Sequence, residues 1–268
     1  MPRPPSAHRP SPEAARAVAG LAEQEGPRLH ALARRLCGKP DEAEDLVQEV
    51  FLAALKGWDG FEGRAAPTTW LYTIAARACQ RMHRKRAGQP QHVLSLDVPL
   101  PFGAGDLPTL GAHEGGPPSE QVQREALERM QAGIVALPVT FRLPFVLKEV
   151  VGLSVADVAR VLGLKPATVK TRLHRARLRV RQELEKSMEA REVPAAAYER
   201  QVCLDLLAAK QEALDRGTDL AQPVVCERCR EVFASLDFAH DACRRLGDEA
   251  MPPDVKSRLL AAIAKAAA

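Results

Sequence analysis

"LSVADVARVLGLKPATVKTRLHRARLRVRQEL", Leu153–Leu184, contains two helices and the corner that joins them. Ser154 is a natural N-cap and Asp157 follows three residues on, close to a capping box. Val155, Val158, Ala159 and Leu162 form the inner face of the first helix, Gly163 supplies a sharp turn, and Pro166 suits the first turn of the second helix, where its missing N–H costs nothing. In that second helix Val169, Leu173, Ala176 and Val180 recur at i, i+4, i+7 and i+11, which leaves Lys170, Arg172, Arg175, Arg177 and Arg179 outside. Seven Lys or Arg and no acid lie between Lys165 and Gln182. The pattern predicts a helix-turn-helix: side chains near the start of the second helix read base edges, and cations further along hold phosphates.

Composition agrees with an all-α chain. Of 268 residues, 46% are hydrophobic but only 4% aromatic, a balance that suits helices packed through Ala, Leu and Val better than sheets. The net charge of +4 is too small to argue for a nucleic-acid partner, so the case rests on how the charge is distributed. No paired carboxylates, phosphate loop or nucleophile arrangement stands out, and the chain is not expected to be an enzyme. The N-terminus lacks the apolar core of a signal peptide and there is no long apolar run, so a cytoplasmic location is expected. There thiols stay reduced, and the six cysteines read as core residues or metal ligands rather than disulfides.

Five segments follow. Residues 1–23, rich in Pro and Ala, read as a disordered tail; 24–88 as a helical domain; 89–120, dense in Gly and Pro, as a flexible linker; 121–188 as the helix-turn-helix domain; and 189–268 as a Cys-rich C-terminal domain. In the first helical domain "DEAEDLVQEVFLAAL", Asp41–Leu55, sets Leu46, Val50 and Phe51 on an apolar face and five acids largely elsewhere. "TTWLYTIAARACQRMHRKR", Thr68–Arg86, places Arg77, Arg81, Arg84 and Lys85 on one face, a stripe able to follow a phosphate backbone. Trp70 and Tyr72 beside it either stack on an unpaired base or belong to the core. Cys37 and Cys79 fall on apolar faces and read as core.

Together these three stretches closely resemble the extracytoplasmic-function (ECF) group of bacterial RNA polymerase sigma factors, over roughly residues 26–188. The resemblance implies two helical sigma domains, region 2 and a region 4 helix-turn-helix, with RNA polymerase core and promoter DNA as partners. It implies that Asp45, Leu46, Gln48, Glu49 and Phe51 contact the polymerase clamp, and that the helix carrying Trp70, Arg77, Arg81, Arg84, Lys85 and Arg86 engages the minus 10 element. Lys165, Thr168, Lys170, Thr171, Arg172, His174, Arg175 and Arg177 would read the minus 35 element. Lys165 stands where such proteins often carry a small polar cap or Pro. A stand-alone helix-turn-helix repressor is the rival reading, and the acidic helix argues against it.

The last segment is not needed for that activity. "YERQVCLDLLAAKQEALDRG" and "VCERCREVFASLDFAHDACRRL" read as a helical hairpin in which Cys226 and Cys229, at i and i+3, can pinch one metal ion and Cys203 can close the site. On an unbroken helix Cys243 would lie roughly 20 Å from Cys229, so it joins them only if the helix breaks near His240, or if there are two sites. The hairpin resembles the zinc-binding domain of anti-sigma factors, but Gln222 stands where those carry a ligand His. It looks more like the C-terminal Cys-rich domain of CorE-like sigma factors, which respond to copper or to cadmium and zinc. The resemblance implies a metal held by Cys203, Cys226, Cys229 and Cys243, with His240 as a further candidate, and a regulator on the same chain that makes a separate anti-sigma factor dispensable. A structural zinc site or a partner-docking module are the alternatives.

Overall fold

A computed structural model of the chain describes residues 10–37, 39–86, 102, 106–108, 120–186, 190–220 and 225–268. Ten α-helices are formed among these residues: α1 (Pro12–Cys37), α2 (Pro40–Gly57), α3 (Pro67–Arg86), α4 (Glu120–Ala136), α5 (Val139–Phe145), α6 (Val155–Leu162), α7 (Pro166–Glu185), α8 (Arg200–Arg216), α9 (Glu227–Gly247) and α10 (Pro253–Ala267). A π-helical turn, Val146–Val150, continues α5. The all-α expectation stands, apart from one short antiparallel ribbon in which Asp106–Pro108 (β1) pairs with Ala190–Glu192 (β2), Leu107 opposite Arg191. β1 falls within the segment read as linker, most of which lies outside the described residues.

The N-terminal tail requires correction, because its second half is helical. α1 begins at Pro12, and the Ser11 hydroxyl accepts from Ala14 N–H at 3.0 Å while donating to Asp59 at 2.6 Å. Proline density suggested a tail, yet Ala14, Val18, Leu21 and Ala22 recur at helical spacing and are buried. Alanine is the strongest helix former, and an apolar stripe of this kind gives the helix a core to pack on.

α1, α2 and α3 pack together around Leu32, Leu36, Leu46, Phe51 and Leu71. The helix-turn-helix is built as its sequence implies. Ser154 Oγ accepts from Asp157 N–H at 3.0 Å, and Gly163 takes a left-handed φ of 64° that allows the corner. Val169, Leu173, Ala176 and Val180 are all fully buried. On α6 the inner face is Val158, Ala159 and Val161, with Val155 and Leu162 half-buried at its margins. Lys165 makes no side-chain cap; its carbonyl accepts from Thr168 and Val169 N–H at 2.9 and 3.1 Å, and Pro166 occupies the first turn of α7.

The helical units are not beads on a string. Arg142 of α5 donates to Leu36 O at 3.0 Å, capping a carbonyl at the end of α1. α3 lies against α6. The C-terminal helices divide: α8 and α9 form the hairpin, α9 packs on α7 and the π-helical turn, and α10 leaves the hairpin to lie across α1 and α2. There Arg258 pairs with Glu44, and Arg35 of α1 bonds Glu249 at 3.0 Å. Where α9 ends, a Cβ added to Gly247 would meet Val150 O at 2.0 Å, so only glycine permits this approach to the π-helical turn.

Candidate nucleic-acid interface and thiol cluster

α2 exposes Asp45, Gln48 and Glu49 on one side, while Leu46 and Phe51 are interior. The expectation that those two apolar residues meet a partner is corrected: they anchor α2 to its own core, and the acids are what the helix presents. Glu49 is already engaged by Arg81 of α3 at 2.7 Å, both side chains about half-exposed. Arg77 is exposed as well, and the side chains of Arg84, Lys85 and Arg86 lie outside the described residues. Tyr72 is core, its hydroxyl donating to Glu25 at 2.9 Å; burial, then the Glu25 charge, pushes the phenol far above its ordinary range. Trp70 is half-buried in an aromatic trio, with its centroid 5.8 Å from Trp58 and 5.0 Å from Phe61. A cavity of about 200 Å³ opens beside Phe61, Arg64 and Trp70, so an aromatic face is available to an unpaired base.

On α7, Lys165, Thr171 and Arg175 are exposed, Thr168, Lys170, Arg172 and His174 half-buried. Arg172 lines a cavity of about 280 Å³ with Gln80 and His83 of α3 and Leu162 of α6. Arg177 is the correction on this helix. Its side chain is 4% exposed, and it donates to Glu149 Oε1 at 2.6 Å and Gln211 Oε1 at 3.0 Å while pairing with Asp215 at 2.7 Å. The position looks outward on α7 alone, but α8 and α9 cover it. Glu149, 1% exposed, also meets His240 Nδ1 at 2.5 Å. Burial pushes the Glu149 carboxyl up, but the Arg177 charge and the His240 contact outweigh it, holding the pKa at about 2. His240 therefore serves this carboxylate, and helical rise sets it roughly 16 Å along α9 from Cys229.

The thiols divide into two places. Cys203 on α8 and Cys229 on α9 are buried in the hairpin's own apolar cluster, with Cys226 half-buried at the N-cap of α9. Burial and the neighbouring Cys226 and Cys203 push the Cys229 thiol up. The Cys226 thiol is raised by burial but pulled below its usual value by backbone groups of Ala197, Cys229 and Arg228, although none closes a cap bond of ordinary geometry. Cys243 is a correction. α9 runs unbroken from Glu227 to Gly247, so helical rise carries Cys243 roughly 20 Å from Cys229. It sits in the main core with its sulfur 3.8 Å from Met130 Sδ. Among the described residues no group of three or more His, Cys, Asp or Glu has the arrangement of a formed metal site. Cys203, Cys226 and Cys229 are neighbours without being a closed cage. Cys37 and Cys79 are core, as expected.

Comparison with known proteins fixes what this arrangement belongs to. The Sigma-70 region 2 profile matches residues 21–89, and the Sigma-70 region 4 profile matches residues 127–180. ECF RNA polymerase sigma factor SigW of Bacillus subtilis is 32% identical over 157 residues, 59% of this chain and 83% of that one. The chain belongs to the ECF family of RNA polymerase sigma factors. ECF sigma factor SigM of Mycobacterium tuberculosis is 31% identical over 152 residues, 57% of this chain and 69% of that one. The sigma factor RpoE of Bartonella quintana, solved in complex with the anti-sigma factor NepR, is 26% identical over 63% of this chain and 98% of that one, with a TM-score of 0.45. This sigma factor is thus a transcription initiation factor that binds polymerase core and promoter DNA, not an enzyme, and the repressor reading falls. No helix among its described residues is long and apolar enough to cross a membrane. The matched profiles end at residue 180, before the C-terminal hairpin and α10.

Proposed function

We propose that this sigma factor reads the minus 10 element with α3 and the minus 35 element with α7, and that a metal ion at Cys203, Cys226 and Cys229 controls its activity. The metal reading is carried by one observation, the convergence of three sulfurs from two helices in a segment beyond the sigma profiles. A sulfur-only donor set suits soft or borderline ions, of which copper(I), zinc and cadmium are the candidates. When bound, such an ion supplies bonds that join α8 to α9 once the thiols have lost their protons. Cys226, whose thiol is lowered, gives up its proton more readily than Cys229, whose thiol is raised. α8 carries Cys203 near its start and Glu212 and Asp215 in its last turns, so a change at the thiols is felt by the helix that faces α7. The ion shifts activity only as far as it binds two arrangements of the hairpin differently.

Transcription with core polymerase across a metal titration tests the reading. Cys226→Ser and Cys229→Ser are expected to lower metal stoichiometry and to abolish the response to added copper, zinc or cadmium, with helix content of the sigma regions unchanged by circular dichroism. An equal response in variant and wild type removes the sensing role. Collapse of the C-terminal helices with regulation unchanged assigns the thiols to a structural zinc site.

The placement of α7 has its own test. Arg172→Ala and Arg175→Ala are each expected to weaken promoter use by about 1 to 3 kcal/mol where the side chain reads a base edge, with preference relaxed at one position; where it holds a phosphate, all sequences weaken alike. Promoter-variant transcription assays distinguish the two, and unchanged minus 35 preference in both variants would move the reading surface off this helix.

A further inference from the structure

The C-terminal hairpin does more than sit beside α7. Lys170 Nζ lies 2.7 Å from both carboxylate oxygens of Glu212. His174 Nε2 is 3.4 Å from Asp215 Oδ2, and Arg177 is 2.7 Å from Asp215 Oδ1. Lys170, His174 and Arg177 recur at i, i+4 and i+7, so they share one face of α7, and Glu212 and Asp215, at i and i+3, share the facing side of α8. Gln211 completes the seam, accepting from Arg177 and donating to His174 O at 3.4 Å. Three basic side chains of a DNA-reading helix are thus turned onto two carboxylates of its own chain. Lys165, Arg175 and Arg179 remain exposed on the rest of the helix.

We propose that α8 is an intramolecular competitor of duplex DNA: Glu212 and Asp215 occupy the places of backbone phosphates on Lys170, His174 and Arg177, so that hairpin and duplex bind α7 in turn. The proposal rests on the reading of α7 as the DNA helix. Shape supports the exclusion as well as charge. The major groove is about 12 Å wide and a helix with its side chains fills about 10–12 Å of it. With α8 bridged alongside, α7 presents roughly twice that width and cannot enter. The energetic balance suits a releasable contact. A buried ion pair returns little beyond its desolvation cost, and the Asp215 oxygens meet their partners by proximity without hydrogen bonds of ordinary geometry. A polyanion that offers phosphates to the same side chains, and releases counterions on binding, can displace it.

Anisotropy titration of the full chain with a labelled duplex of about 30 base pairs, in about 50 mM salt and upwards, reads the competition directly. Glu212→Lys, which repels Lys170 at a half-exposed site, and the double variant Glu212→Gln with Asp215→Asn are expected to bind the duplex at least about tenfold tighter. The slope of log affinity against log salt should steepen by about 2, the count for two or three phosphates newly engaged. Asp219→Asn with Asp241→Asn is the control, since it removes two exposed charges away from this seam. In the freed background Arg175→Ala should reverse much of the gain. Unchanged affinity and slope in both variants, with helix content intact, would overturn the proposal, as would an equal gain in the control. If the latch fails yet Arg175→Ala still weakens the wild type's binding, α7 remains the DNA helix; if Arg175→Ala also changes nothing, that reading falls too.

Discussion

Asp45→Arg combined with Glu49→Arg is expected to leave the fold intact and to reduce binding to core polymerase by more than about 100-fold, because like charges brought together across an interface cost several kcal/mol. Both side chains are exposed on α2, whose apolar residues Leu46, Val50 and Phe51 are untouched. Within the chain the double variant breaks the Glu49–Arg81 ion pair, and an exposed pair of this kind is worth only about 0.2–1 kcal/mol. Folding and partner binding are therefore separable here, which Leu46 or Phe51 substitutions would not allow. Affinity for purified core enzyme, with a thermal melt alongside, is the measurement. Binding within about threefold of wild type would place the polymerase surface elsewhere on the chain.

Glu149→Ala is expected to have the largest effect on stability, a decrease of about 3–5 kcal/mol, the usual cost of leaving a buried partner charge uncompensated. Arg177 keeps Asp215 but gives up its shortest hydrogen bond, and His240 is left without its carboxylate. Urea unfolding of wild type and variant gives the number, and a decrease under about 1 kcal/mol would show that apolar packing alone seats α9. Acid should act on the same point. Because the Glu149 pKa is depressed from its ordinary 4.5 to about 2, its contribution is complete above pH 4.5 and fades progressively as pH falls toward 2. In the wild type α9 should separate from α7 over that window, and Glu149→Gln should show a flatter profile there.

What could be read from the sequence follows from which information is local. The inner face of α7 was legible because Val169, Leu173, Ala176 and Val180 obey a helical period and nothing else competes for them. Arg177 was not, because its burial depends on Glu149, 28 residues earlier, and on Asp215 of another helix. The same limit applies to α10: Val255, Leu259 and Ile263 recur at helical spacing, but nothing in that stripe says that it would lie on α1 and α2. Leu46 and Phe51 show the opposite failure. Their helical spacing already placed them on the apolar face, and the family resemblance then assigned them outward. Cys243 was constrained by helical rise, since only a break in α9 could have brought it to Cys229, and α9 does not break.

The packing of α3 on α6 sets a requirement on reach. If α3 meets the minus 10 element and α7 the minus 35 element, their targets are about 25 base pairs apart, roughly 85 Å along a duplex that rises about 3.4 Å per pair. Helices packed against one another cannot span that distance. The two sigma regions must part on the promoter, and a chain as long as residues 87–119 spans roughly 110 Å at full length, a reach that requires the β1–β2 ribbon to open. Loading onto polymerase is then also an unfolding of the compact form, in which Arg142 has to release the end of α1 and α10 has to leave α2 or carry the hairpin away with it.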